Sequence, residues 1–306
     1  MLRAAVPAEA LAPVRAAVAE AGLAGGVDVV EVPAGGDLVE ALAGVEFLVL
    51  DHERRDVVAV LAQLPALRVV QLLIVGTEWV APHLPAGVVL GRPTGTRDGG
   101  VAEWVASALL GVASGLLPAA HDQHREAWTR TPSRELRGQR VVVAGQGSTG
   151  RATAALLTAL GVEVVAVGAH ARPGVHPAAA LPDLVAGADA LVLLIPATAA
   201  TAGLVDAALL ARMRAGALLV NASRGGVVDT AALLAELENR RLRAVLDVTD
   251  PEPLPAGHPL WRAPNCVISP HIAGATHEGR ARAVRFAAAQ LVRHARRQAL
   301  VGAEPS

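Results

Sequence analysis

Three polar side chains stand where three apolar runs end. Arg224 follows ALLVNAS, Glu252 follows AVLDVTD and His271 follows CVISP. A guanidinium offers an anion a planar fork of donors. Histidine gives and takes protons near neutral pH, and a carboxylate accepts hydrogen bonds from either. Singly, each has a plainer reading: a solvated arginine, a loop glutamate, a satisfied histidine. The stretch NASRGGVVD (221–229) sharpens the choice. Arginine is costly to bury unpaired, and Gly225 and Gly226 leave the backbone beside Arg224 bare. The alternatives there are a surface loop or an anion clamp. Taken together, three such groups at the carboxyl ends of strands mark the crevice where open α/β sheets bind ligands.

A fourth element lies upstream. Gly145-Gln146-Gly147-Ser148-Thr149-Gly150 fits G-x-G-x-x-G. The pattern alone is weak, but here it follows the strand-like RVVVA and opens the helical RATAALLTALG, the context a dinucleotide fingerprint requires. Gly145 permits a tight turn, Gly147 lets the backbone approach a pyrophosphate, and Gly150 allows close helix–strand packing. The N–H groups of Ser148 and Thr149 then face the phosphates at a helix N-terminus. The next strand, EVVAVGAHAR, should end in an acid if it holds a ribose 2′-hydroxyl. Gly168 stands there instead, followed by Ala169, His170, Ala171 and Arg172. Without that carboxylate a 2′-phosphate is not repelled, and Arg172, with His170, can pair with it. The expected cofactor is NADP(H) in preference to NAD(H); the plainer reading leaves both side chains in solvent.

Alternating strands and helices must position these groups. From residue 140, RVVVAGQG, EVVAVGA, ADALVLLIP, GALLVNAS, RAVLDVTD and NCVISPH are six strand-like runs, with helical segments at 149–160, 179–187, 204–214 and 229–240. Continuous rather than alternating apolarity means strands covered on both faces, as in a parallel sheet flanked by helices. The first third repeats the rhythm with strands at 27–32, 46–51, 68–74 and 87–91. GRPTGTRDGG (91–100) is a turn-rich break that suits a domain boundary. One helix over 101–117, capped by Asp98, is expected next, and a basic amphipathic helix at 276–298 returns to the first domain. The expected fold class is α/β, with two doubly wound domains, Rossmann-like and flavodoxin-like, and a cleft between them. Residues 97–273 bind the dinucleotide, and residues 1–96 with 274–306 form the substrate domain.

Composition excludes several other chemistries. The net charge is −1, so no field steers the chain towards nucleic acid or an anionic membrane. All 27 basic residues other than histidine are arginine, which removes Schiff-base and P-loop lysine chemistry. The single cysteine, Cys266, permits neither an internal disulfide nor a multi-cysteine zinc site. It is expected to be a small buried apolar residue. Glu9 and Arg15 interrupt the N-terminal apolar run, and no run reaches the ~18 apolar residues of a membrane helix. A soluble, cytoplasmic protein is expected. His121 and His124 stand three apart, but no third ligand is near, so they are read as a charged helix face and no metal is expected.

In this order and spacing, GQGSTG, NASRGGVVD, LDVTDPEPLP and SPHIAG resemble the D-isomer-specific 2-hydroxyacid dehydrogenases, a family that includes glyoxylate/hydroxypyruvate reductases and phosphoglycerate dehydrogenases. The resemblance implies that Arg224 binds a substrate carboxylate and carbonyl, that His271 is proton donor and acceptor, and that Glu252 orients its imidazole. It further implies that Asp247 contacts the nicotinamide amide and that Pro196, Thr198, Ala222 and Ser223 lie along the cofactor. Backbone N–H groups of Val75 and Gly76 would hold the substrate carboxylate. Substrates would be small 2-keto or 2-hydroxy acids, and the protein a homodimer paired through its cofactor domain. Gly226 departs from a frequent proline, and Thr249 from a frequent aromatic. The absence of a regulatory domain after residue 306 argues against the longer phosphoglycerate dehydrogenases. Two rivals remain: a catalytically silent dinucleotide-sensing protein, like the related corepressors, and a Rossmann-like methyltransferase, which would leave the Arg/Glu/His set unexplained.

Overall fold

The computed structural model describes residues 1–51, 54–130 and 132–305. The chain divides into two compact units, Met1–Arg97 with His277–Ser306, and Asp98–Thr276. Each is a parallel sheet with helices packed on it.

The first unit runs β1 (Leu2–Val6), α1 (Ala8–Glu20), β2 (Val27–Glu31), α2 (Leu38–Ala41), β3 (Phe47–Leu50), α3 (Arg55–Val58), β4 (Val69–Leu72) and β5 (Val89–Gly91). The sheet order is β5-β4-β3-β1-β2, and a final strand, Ala303–Pro305, closes the β5 edge antiparallel. This is the flavodoxin-like order of a doubly wound sheet. Strand β1, LRAAV, is invisible to hydrophobic patterning because its centre is alanine, yet Ala4, Ala5 and Val6 are wholly buried between β2 and β3. One face of the sheet packs Val6, Phe47, Val49 and Leu73 against α1 and the closing helix, His277–Ala295. Arg280 of that helix pairs with Glu9 in the first turn of α1 and with the buried Asp51 just beyond β3. The opposite face buries Leu48, Leu50, Val70 and Leu72.

The second unit begins with α4 (Asp98–Ala113) and α5 (Leu116–His124). The expected single helix over 101–117 is therefore corrected. It ends at Ala113, Gly115 takes φ +76°, and α5 leaves at 73°. The Ala/Leu composition runs through the break, and only glycine adopts that left-handed conformation without strain. Asp98 is the first residue of α4, not a cap preceding it. Then follow β6 (Arg140–Ala144), α6 (Ser148–Ala159), β7 (Glu163–Gly168), β8 (His176–Pro177), α7 (Leu181–Ala186), β9 (Ala190–Leu193), α8 (Ala207–Arg212), β10 (Leu218–Asn221), α9 (Thr230–Glu238), β11 (Arg243–Leu246) and β12 (Cys266–Ile268). Their order, β12-β11-β10-β9-β6-β7-β8, reverses direction between β6 and β9, where a doubly wound sheet opens its crevice.

Both faces of this sheet are covered. Val142, Leu191, Leu193, Leu219 and Leu246 face one layer, while Val141, Val143, Val192, Val220 and Val245 face the other. Every residue of β9 and β10 is buried. At about 1.5–3 kcal/mol per buried aliphatic side chain, these central strands open last. Edge strand β12 has no such cover, and Val267 is 36% exposed. Among the described residues, no single helix is long and apolar enough to cross a membrane.

Cys266 is only partly buried, not the enclosed residue expected. Its burial nevertheless pushes the thiol up to about 12. The folded chain should therefore react slowly with Ellman's reagent at pH 8 and rapidly once urea unfolds it. Because the unfolded thiol ionises first, its contribution to stability should fall as pH rises above about 9. Equal labelling rates in both states would show that the thiol is open to solvent.

Candidate active site

The site is built on the carboxyl ends of neighbouring parallel strands. Backbone bonds continue the ladder past β10, β11 and β12. Asp247 N–H donates to the Asn221 carbonyl at 2.9 Å, and His271 N–H to the Asp247 carbonyl at 2.8 Å. These bonds put the NASR turn, the DVTDPE segment and the SPH turn side by side.

Each turn has its own lock. Asn221, 1% exposed, accepts from Ser223 N–H (3.1 Å) and Ser223 Oγ (2.7 Å), and its amide donates to the Arg224 carbonyl (3.0 Å). Arg224 Nη1 donates to the Ser223 carbonyl at 2.8 Å. A Cβ on Gly225 would lie 1.9 Å from the Thr249 carbonyl oxygen, so only glycine lets this turn close on the DVTDPE segment. Gly226 carries no such demand: its Cβ would meet Asp250 Oδ2 at an ordinary 3.6 Å. Thr249 itself is buried, with its hydroxyl on the Pro251 carbonyl.

Asp247 does something the sequence did not indicate. It is 3% exposed, and its carboxylate accepts from Ser269 Oγ (2.6 Å), Ile272 N–H (2.8 Å) and Ala273 N–H (2.9 Å). The residue expected to reach the nicotinamide amide thus spends its carboxylate on the turn that carries His271. That turn needs a tie, since it hangs from the edge strand and His271 takes φ +56°. His271 Nδ1 lies 2.6 Å from Glu252 Oε1. The two side chains are 48% and 39% exposed, so solvent screens the pair and it adds at most about 1 kcal/mol to stability. Its consequence is geometric. With Nδ1 held on the carboxylate, Nε2 is the nitrogen left to exchange a proton with a ligand.

At the other end of the crevice, the glycine fingerprint occupies the β6–α6 turn. Gly145 has φ +112°, and a Cβ there would lie 2.2 Å from the Leu194 carbonyl oxygen. A Cβ on Gly150 would lie 1.9 Å from the Gly145 carbonyl oxygen. Gly147 differs: nothing lies within 4 Å of its Cβ position, and no side chain caps α6. An open cradle over uncapped helix N–H groups is what a pyrophosphate requires, so these residues fit a dinucleotide. The hydroxyls of Thr149 and Ser148 are committed elsewhere, to Asp98 Oδ1 at 2.7 and 3.3 Å.

Beyond β7, His170 is exposed and Arg172 Nη2 donates to the Gln146 carbonyl at 2.9 Å. A Cβ on Gly168 would meet Val175 Cγ1 at 3.0 Å, which leaves little room for an acid there. After β9, the Pro196 carbonyl and Thr198 N–H are both tied to Thr201 Oγ1, at 2.6 and 2.8 Å. Ala222 is half-buried and Ser223 buried beside Arg224. Val75 and Gly76 belong to the first unit, just past β4, where Val75 is 43% exposed and Trp79 Nε1 donates to the Gly76 carbonyl. Sequence reading missed Asn221, Thr201 and Ser269. Only Asn221 leaves a trace, as a lone amide ending an apolar run. Among the described residues no three His, Cys, Asp or Glu side chains could hold a metal. The side chain of His121 lies outside them.

Comparison with known proteins shows the family. Residues 106–273 match the family described as D-isomer specific 2-hydroxyacid dehydrogenase, NAD binding domain. The chain is 32% identical to the (S)-sulfolactate dehydrogenase of Chromohalobacter salexigens, over 80% of this chain and 83% of that one. It is 36% identical to the D-3-phosphoglycerate dehydrogenase of Mycobacterium tuberculosis, over 73% of its own length but 44% of that protein's, so it spans less than half of that relative. Among solved structures, a D-isomer specific 2-hydroxyacid dehydrogenase from Xanthobacter autotrophicus, in complex with NADPH and MES, superposes with a TM-score of 0.79. The two are 28% identical, over 99% of this chain and 97% of that one.

Replacing Asp247 with alanine strands one buried donor, Ala273 N–H, and two part-buried ones. The cost should be about 1–3 kcal/mol, read as a lower urea midpoint. An unchanged midpoint would mean that backbone bonds alone hold the His271 turn.

Proposed function

Because the chain belongs to the D-isomer-specific 2-hydroxyacid dehydrogenases, we propose that it reduces a small 2-keto acid to the D-2-hydroxy acid with NADPH. The observation that carries the reading is the His271–Glu252 contact beside the Arg224 turn, on the same strand ends as an open dinucleotide cradle. A nicotinamide bound there supplies the hydride. This chain's residues do the rest. Arg224 presents its guanidinium fork to the substrate carboxylate and the neighbouring carbonyl oxygen. Nε2 of His271 gives the proton that the C2 oxygen takes up, and recovers it in the reverse direction. Glu252 holds Nδ1, which fixes the ring and leaves Nε2 in that role.

NADP(H) is favoured over NAD(H) because Gly168 brings no carboxylate to the ribose, and Arg172, with His170 nearby, brings positive charge. A homodimer is part of the proposal. Leu110 on α4, Leu116 at the start of α5 and Trp128 just beyond it are 43%, 68% and 91% exposed, and an interface would cover them.

Absorbance at the reduced-nicotinamide band tests the chemistry, with NADPH or NADH and a panel of 2-keto acids. NADPH oxidation should fall by about 10²–10⁴-fold in His271→Ala. Arg224→Gln should act mainly through a raised KM. Cofactor binding without turnover on any keto acid would instead favour the sensing protein. Light scattering should give twice the chain mass, reduced to one chain in Trp128→Arg; a monomeric wild type would end the dimer proposal.

A further inference from the structure

Two arginines converge on one backbone oxygen of the glycine fingerprint. Arg151 Nη1 and Arg172 Nη2 each donate to the Gln146 carbonyl at 2.9 Å. Arg151 stands on the first turn of α6, one residue past Gly150. Arg172 opens a tight turn after β7, where it exchanges backbone hydrogen bonds with Val175. Both guanidiniums are exposed, and neither is paired with a carboxylate among the described residues. Like charges held this close repel, and one neutral carbonyl compensates little of that. The unfilled space at Gly147 adjoins Gln146, so a ligand lying over the fingerprint passes the pair.

We propose that Arg151 and Arg172 form a two-guanidinium seat for a phosphomonoester on the adenosine ribose, with Arg151 as the specificity residue that the strand-end pattern does not reveal. The inference rests on the reading that a nicotinamide dinucleotide binds at the fingerprint. A phosphomonoester brings nearly two negative charges and three acceptor oxygens at neutral pH, enough for a fork from each side. The Gln146 carbonyl aligns both forks before the ligand arrives, which lowers the cost of ordering two long side chains. A 2′-hydroxyl offers no charge for the seat to neutralise.

The competing role is mechanical: the arginines could only buttress the loop. Binding of NADPH, NADH, 2′,5′-ADP and 5′-AMP, measured by calorimetry on wild type, Arg151→Gln, Arg151→Lys and Arg172→Gln, separates the two. In Arg151→Gln, NADPH and 2′,5′-ADP should weaken about tenfold while NADH stays within about twofold. Arg151→Lys should recover part of the loss, and the difference should shrink at high salt. Equal weakening of NADPH and NADH would make Arg151 a buttress and overturn the proposal, as would 2′,5′-ADP binding no better than 5′-AMP. If wild type binds NADPH no tighter than NADH, yet 2′,5′-ADP binds and Arg151→Gln loses it, the seat stands and only the cofactor preference falls.

Discussion

The candidate site hangs on two backbone hydrogen bonds, Asn221 to Asp247 and Asp247 to His271. They extend the sheet ladder beyond the last regular residues of β10, β11 and β12. Turns that lie far apart in sequence are thereby fixed to the spacing of adjacent strands, about 4.8 Å. Everything else in the site reinforces those two bonds. Asn221 folds the Arg224 turn onto its own strand end, Gly225 brings that turn against Thr249, and Asp247 draws the His271 turn onto the edge. The ladder makes the order of strands and the order of functional groups one and the same.

The electrostatics follow an economy of residue types. Every fixed cation is an arginine, which keeps its charge across any working pH. Anions are therefore met by planar forks or by helix N–H groups. The carboxylates divide by burial. Asp247 is enclosed and accepts three hydrogen bonds, whereas Glu252 is open to water and meets a single ring nitrogen. Burial thus separates the acid that braces the His271 turn from the acid that meets the His271 ring.

The second unit was the more legible from sequence. Strands β6, β9, β10 and β11 are covered on both faces, so they appear as unbroken apolar runs. The fingerprint was readable because three glycines meet local backbone demands; at two of them, Gly145 and Gly150, a Cβ would run into a backbone carbonyl oxygen. Strand β1 was silent because Ala4 and Ala5 give no β signature, although both are wholly buried between β2 and β3. The helix break at Gly115 was hidden in a stretch whose composition stays helical on both sides. The role of Asp98 escaped for another reason. It depends on a partner set by folding, the Thr149 hydroxyl fifty-one residues away, and no local pattern encodes such a pairing.

Where the chain enters and leaves the second unit, the two passing segments touch. A Cβ on Gly100 would lie 2.9 Å from Thr276 Cγ2 and 3.3 Å from the Ala273 carbonyl oxygen. A module with adjoining ends is a cassette: it can be removed from one host chain and spliced into another without stretching either side. Modular exchange of this kind would let the dinucleotide half and its partner half diversify separately. The absence of a side chain at residue 100 keeps the seam closed.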